Sequence, residues 1–94
     1  MLFANRTEDD ILMKETLDVY AKKHNVKVFY SVDKSITTNW TGFTGYISED
    51  KVTQSIPNEV KDTLFMSCGP PPLCNGTEKI WKSLNVPTNQ IFRF

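Results

Sequence analysis

Three consecutive prolines, Pro70-Pro71-Pro72, fit inside neither a strand nor a helix, because each fixes φ and withholds a backbone N–H. They mark a boundary, and the residues on either side say what meets there. Thr63-Leu64-Phe65-Met66-Ser67-Cys68 runs into them as a near-continuous apolar block, the pattern of a strand buried on both faces. Beyond them, Leu73, Thr77, Ile80, Trp81 and Leu84 recur at helical spacing up to Asn85. Asn75-Gly76 costs helix stability, so a late helix start, at Thr77, is expected.

The same strand-to-helix alternation runs through the rest of the 94 residues. Leu2-Phe3-Ala4 reads as an opening strand. Thr7-Glu8-Asp9-Asp10 supplies a capping hydroxyl and acidic residues suited to a helix start. Leu17, Tyr20 and Ala21 line up on one face, which predicts the main helix over 14–23, with Lys22 and Lys23 at its end and Asn25 in the left-handed closing position. Val26-Lys27-Val28-Phe29-Tyr30-Ser31-Val32 is the clearest strand. Asp33 to Gly45 reads as a loop, and Ser48 caps a short helix whose Val52 and Ile56 share a face and which Pro57 ends. Ile91-Phe92-Arg93-Phe94 closes the chain as a strand. The order β-α-β-loop-α-β-α-β predicts an α/β fold with a parallel sheet.

Composition narrows the function. Eleven Lys plus Arg balance eleven Asp plus Glu, so no basic excess exists to displace counterions from a nucleic acid. The length suits one small domain. No stretch approaches the ~20 apolar residues of a membrane span, and no signal-peptide pattern opens the sequence. Two cysteines at C-x5-C spacing make neither a disulfide framework nor a zinc site. An intracellular, metal-free protein is expected. His24 is alone at a helix end, and three Asn-x-Thr sequons, at Asn5, Asn39 and Asn75, have no secretory context. G-x-S-x-G, P-loop and G-x-G-x-x-G motifs do not occur.

Chemistry concentrates where strands end. In open α/β sheets, ligands sit beyond the carboxyl ends of the strands, which is where Cys68 and Gly69 fall. A loop with three prolines is poor in donors and unsuited to a phosphate nest. It reads either as a rigid, mostly apolar wall for a flat ring or as a buried strand cysteine followed by a proline-rich helix entry. Asp33, directly after a strand, can accept hydrogen bonds from both hydroxyls of an adenosine ribose and repel a 2′-phosphate, or can open a turn. Arg6, after the first strand, can face a phosphate, stack on adenine or stand solvated. Trp40, Phe43 and Tyr46 either line a site or pack beneath the loop. A thiol-redox role for Cys68 and Cys74 is disfavoured by their spacing, since reactive pairs are usually C-x-x-C.

Taken together, Leu2-Phe3-Ala4-Asn5-Arg6-Thr7-Glu8-Asp9-Asp10-Ile11-Leu12, Phe29-Tyr30-Ser31-Val32-Asp33, Gly42-Phe43-Thr44-Gly45-Tyr46-Ile47 and Cys68-Gly69-Pro70-Pro71-Pro72 resemble, in order, the NADH-cytochrome b5 reductases and the reductase domain of eukaryotic nitrate reductases. Both belong to the ferredoxin–NADP reductase superfamily. The resemblance implies a partial Rossmann-like, three-layer α/β fold, with four mainly parallel strands and helices on both faces. Residues 1–94 would form the C-terminal portion of an NAD(H)-binding domain, without the glycine-rich strand–loop–helix that opens such domains and without the FAD-binding domain.

The implied function is hydride transfer from NADH to FAD in a parent flavoprotein, with electrons passing to a heme acceptor such as cytochrome b5. The stretch alone would be inactive. The alternative is a non-catalytic nucleotide-binding or interaction domain. Family positions carry over to Cys68, which orients hydride transfer without covalent chemistry, to Gly69, Pro70 and Pro71 beside the nicotinamide, and to Asp33 on the adenosine ribose. Asn5, Arg6 and Tyr46 match positions near the dinucleotide. Leu73-Cys74-Asn75-Gly76 departs from the bulkier apolar residues that usually follow this proline run. In the family the absent strand is central to the sheet. Its slot would be closed, filled by self-association, or left as a loosely folded gap.

Overall fold

In the computed structural model, which describes residues 1–56 and 60–94, the expected α/β class is present as five short strands in two parallel ladders. The chain divides into two units, Met1–Tyr46 and Ile47–Phe94.

The first unit holds β1 (Leu2–Asn5), α1 (Lys14–Lys23), β2 (Phe29–Val32) and β3 (Phe43–Thr44), with the sheet ordered β1-β2-β3. Register sets Leu2 opposite Phe29 and Asn5 opposite Val32, then Ser31 opposite Phe43. Strand β3 lies inside the stretch read as a loop. Only two residues long and bounded by Gly42 and Gly45, it has no alternation to betray it, and it is held by the Phe43 ring stacking on Phe29 at 6.3 Å. Ser31 and Val32 are fully buried, and Ile11 is buried as well.

The acidic start at Thr7 yields only a 3-10 turn, Glu8–Asp10, closed by Asp10 accepting from both the Thr7 N–H and its hydroxyl. Helix α1 begins afresh at Lys14, after Met13 adopts φ 58°, and it spans the residues the apolar spacing predicted. Its far end differs from expectation. His24 closes it in extended conformation, and Asn25 does not take up the left-handed position. That conformation appears instead at Asn85, two residues past the helix that ends at Ser83, with φ 66°.

The second unit contains α2 (Glu49–Ser55), β4 (Phe65–Ser67), α3 (Pro71–Ser83) and β5 (Ile91–Arg93), with β4 and β5 parallel. The Ser48 hydroxyl accepts from the Lys51 N–H as the cap of α2, whose Val52 is buried. Pro57, expected to end this helix, lies outside the described residues; the last helical residue is Ser55. Strand β4 is not buried on both faces as its apolar run suggested: Phe65 is core, but Met66 is 56% exposed. A run of apolar residues does not record which face a neighbour covers. Phe65 meets Trp81 at 5.3 Å between ring centroids, and Cys74, Val52 and Val86 complete this core.

Helix α3 starts at Pro71, not at Thr77. Prolines suit a first helical turn, where the missing N–H has no partner to lose and φ is already helical. The Leu73 and Cys74 amides both reach the Pro70 carbonyl, at 3.0 and 3.2 Å, and buried Cys74 and Trp81 anchor the helix through the Asn75-Gly76 pair. Arg93 of β5 donates to both oxygens of Glu78 and to Asn75 Oδ1, fastening the strand to α3. Gln90 Nε2 donates to the Val60 and Thr63 carbonyls, each at 2.7 Å, and so ties the entry of β4 to that of β5.

Candidate functional site

Parallel strands deliver their C-terminal residues to one edge, so the tips of β1, β2 and β3 bring together segments remote in sequence. The β1–β2 ladder continues past both strands: the Asp33 N–H donates to the Asn5 carbonyl at 3.0 Å and the Lys34 N–H to the Arg6 carbonyl at 3.1 Å. On the other side, the Gly45 N–H donates to the Val32 carbonyl at 2.8 Å, and Gly45 takes φ 82°, which turns the chain off β3 toward Tyr46. Four of the residues singled out in the sequence, Asn5, Arg6, Asp33 and Tyr46, thus share this carboxyl edge. Asp33, Gly45 and Tyr46 line a hollow of about 160 Å³.

The edge is chemically mixed. Asp33 and Arg6 are exposed, and the Tyr46 ring is 91% exposed, offering a face to a planar group. Asn5 is different. Its Nδ2 is buried and has no hydrogen-bond partner among the described residues. Burying an amide donor unpaired is costly, so an acceptor arriving at this edge would relieve it. A donor at Asn5, a cation at Arg6 and an acceptor at Asp33 fit a polyhydroxylated, phosphorylated ligand.

The remaining candidates gather in the second unit. Cys68 follows β4 directly, and Cys68, Gly69, Pro70 and Pro71 are all exposed at the strand's carboxyl end. The alternative of a buried strand cysteine does not hold for Cys68; the buried thiol is Cys74, whose Sγ donates to the Gly69 carbonyl at 3.5 Å. Gly69 has φ 156°, and a Cβ there would stand 3.0 Å from the Leu73 side chain. The bend is therefore pinned from beneath by Leu73 and Cys74, leaving its outer surface of thiol, glycine and prolines open and poor in donors.

Among the loop aromatics, Trp40 and Phe43 are packing residues. The Trp40 indole donates to the Phe43 carbonyl at 3.0 Å, and its ring lies where a Cβ on Gly42 would stand 2.5 Å away. Tyr46, by contrast, is largely exposed. The Trp40 and Phe43 rings, with Lys14, Phe29 and Tyr30, border a separate hollow of about 260 Å³. Tyr30 donates to Asp18 at 2.7 Å, while Lys14 pairs with Asp18 at 2.8 Å and lies over the Tyr30 ring. Desolvation, then the Asp18 carboxylate, pushes the Tyr30 hydroxyl up to about 12.

One contributor escaped the sequence reading. Glu8, taken only as a residue suited to a helix start, accepts hydrogen bonds from the Ser35 hydroxyl, the Ile36 N–H and the Thr37 hydroxyl. Desolvation opposes its charge, but the Ser35 hydroxyl and then the Ile36, Glu8 and Thr37 backbone N–H groups prevail and hold the carboxyl down at about 2. Nothing in the spacing of Glu8 and Ser35 announces that they meet.

Residues 1–79 match the family described as oxidoreductase NAD-binding domain. An inducible NADH nitrate reductase of Glycine max is 50% identical over 74 residues, covering 78% of this chain and 8% of that protein. An NADH-cytochrome b5 reductase-like protein of Arabidopsis thaliana is 49% identical over 72 residues, covering 76% of the chain and 22% of its own length. The cytochrome b5 reductase domain of Ulva prolifera nitrate reductase superposes with a TM-score of 0.90 at 30% identity, over 99% of this chain and 36% of that one. The chain thus spans a small part of the curated relatives it matches.

Proposed function

The chain belongs to the oxidoreductase NAD-binding domain family, and on that premise we propose that it is the NADH-binding portion of a flavin-dependent reductase whose electrons pass to a heme acceptor. The observation that carries this reading is the meeting of Asn5, Arg6, Asp33 and Tyr46 at the tips of three adjacent parallel strands, with Asp33 beside a hollow and a buried Asn5 donor awaiting an acceptor. The names of the Glycine max and Arabidopsis relatives, each including NADH, support the choice of dinucleotide.

In this reading Asp33 accepts from the ribose hydroxyls and repels a 2′-phosphate. Asn5 donates to the ligand, Arg6 meets a phosphate, and Tyr46 offers its ring. The exposed bend Cys68-Gly69-Pro70-Pro71 borders the nicotinamide, where the Cys68 thiol orients the ring and forms no covalent bond. Nicotinamide and flavin supply the hydride chemistry when bound, and this chain supplies geometry. The FAD-binding domain and the heme carrier are the proposed partners, and the two free thiols support a reducing, intracellular setting.

The test compares NADH with NADPH in a flavin-containing reductase carrying this segment, before and after Asp33→Thr. Loss of the carboxylate is expected to relax the preference for NADH by about tenfold or more, the effect of ~1.4 kcal/mol. An unchanged preference removes Asp33 from the site, and failure of the unaltered segment to bind either dinucleotide overturns the assignment.

A further inference from the structure

Asp33 is exposed at the end of a strand, and an exposed carboxylate on a wandering loop recognises little, because binding must first order it. Here the loop is tied on both sides of that problem. The backbone bonds Asp33 to Asn5 and Lys34 to Arg6 zip its first two residues to the last residue of β1 and the one that follows it. The next three residues have no strand to pair with, and Glu8 takes over. From its turn two residues past Arg6, its carboxylate receives the Ser35 hydroxyl, the Ile36 N–H at 3.0 and 3.2 Å to its two oxygens, and the Thr37 hydroxyl at 3.4 Å. With its one proton given to Glu8, the Ser35 hydroxyl oxygen accepts from the Thr37 N–H at 3.4 Å, drawing the loop into a tight turn around the carboxylate.

We infer that Glu8 is a positioning residue for dinucleotide recognition: by clamping Ser35, Ile36 and Thr37 it holds Asp33 in one place beside the hollow that Asp33, Gly45 and Tyr46 line. The inference rests on the proposed NADH site and assigns Glu8 no contact with the ligand. Charge-assisted hydrogen bonds to backbone and hydroxyl donors are the strong kind, and three converging on one carboxylate fix a loop that a neutral side chain would leave loose. The Glu8 carboxyl, held down at about 2, stays ionised throughout the physiological range, so the clamp is permanent and not a switch. Because Glu8 acts only through Asp33, its removal should matter only while Asp33 is present.

The test is a double-mutant cycle read by NADH titration of the full 94-residue chain, with amide exchange at Ile36 followed alongside. In the unaltered background, Glu8→Ala is expected to weaken NADH about tenfold and to abolish protection of the Ile36 amide; Glu8→Gln, whose amide oxygen still accepts from Ile36, should recover part of both. In the Asp33→Thr background, Glu8→Ala should change NADH affinity little. An equal loss in both backgrounds marks Glu8 as merely structural and overturns the inference, as does no loss in either, with the NADH site left standing in both cases. Absence of NADH binding by the unaltered chain overturns the site itself and the role of Glu8 with it.

Discussion

The thiol of Cys74 lies 3.5 Å from the carbonyl oxygen of Gly69, beneath the bend that carries Cys68 on its outer side. Two cysteines six residues apart thus have opposite environments: Cys74 is 1% exposed and donates into the turn, while Cys68 faces outward. A thiol reagent is expected to modify one cysteine quickly in the native chain and the second only on denaturation, with Cys68→Ser removing the fast phase. Rapid native labelling of both sites would show that Cys74 does not seal the turn.

Gly69 and Gly76 make a contrasting pair. At Gly69 a side chain meets both an unfavourable φ of 156° and the Leu73 side chain 3.0 Å away. At Gly76, inside α3, an added Cβ meets nothing within 4 Å. Gly69→Ala should destabilise by about 1 kcal/mol or more. Gly76→Ala should stabilise by roughly 0.8–1.0 kcal/mol, the difference in helix propensity. Denaturant midpoints of the two variants check this, and a shift of both in one direction contradicts the packing described for the bend.

Stability should fall at both ends of the pH scale for identifiable reasons. Glu8 has its carboxyl lowered to about 2, so its contribution is complete above the ordinary carboxylate range and is lost as pH falls toward 2. Tyr30 has its hydroxyl raised to about 12 by desolvation and by Asp18; its contribution is complete below the ordinary tyrosine value near 10 and is lost between there and about 12. Unfolding midpoints measured across pH should show a shallower acid limb for Glu8→Gln and a shallower alkaline limb for Tyr30→Phe. Limbs unchanged by these substitutions would assign the pH dependence elsewhere.

Much of this was legible in the sequence, and the exceptions have causes. The helix at 14–23 and the Ser48 cap were readable because local spacing and capping chemistry are enough to specify them. The carboxyl-edge location of Asn5, Arg6 and Asp33 followed from parallel alternation alone. Strand β3 was hidden because two residues carry no period, and its evidence is the Phe29–Phe43 stacking, a contact between segments. Proline overrode the propensity cost of Asn75-Gly76 in starting α3, since buried Cys74 and Trp81 hold the helix from its other face. The Glu8 clamp was invisible for the same reason as β3: its partners are 27 to 29 residues away.

The indole of Trp40, bonded to the Phe43 carbonyl and laid over Gly42, belongs to the first unit, while that of Trp81, against Phe65, belongs to the second. With two tryptophans in the chain, one in each half, nature has installed a separate fluorescent reporter in each. Replacing either by phenylalanine leaves a single tryptophan, so the melting of each half can be followed on its own by indole emission, without a dye or a label.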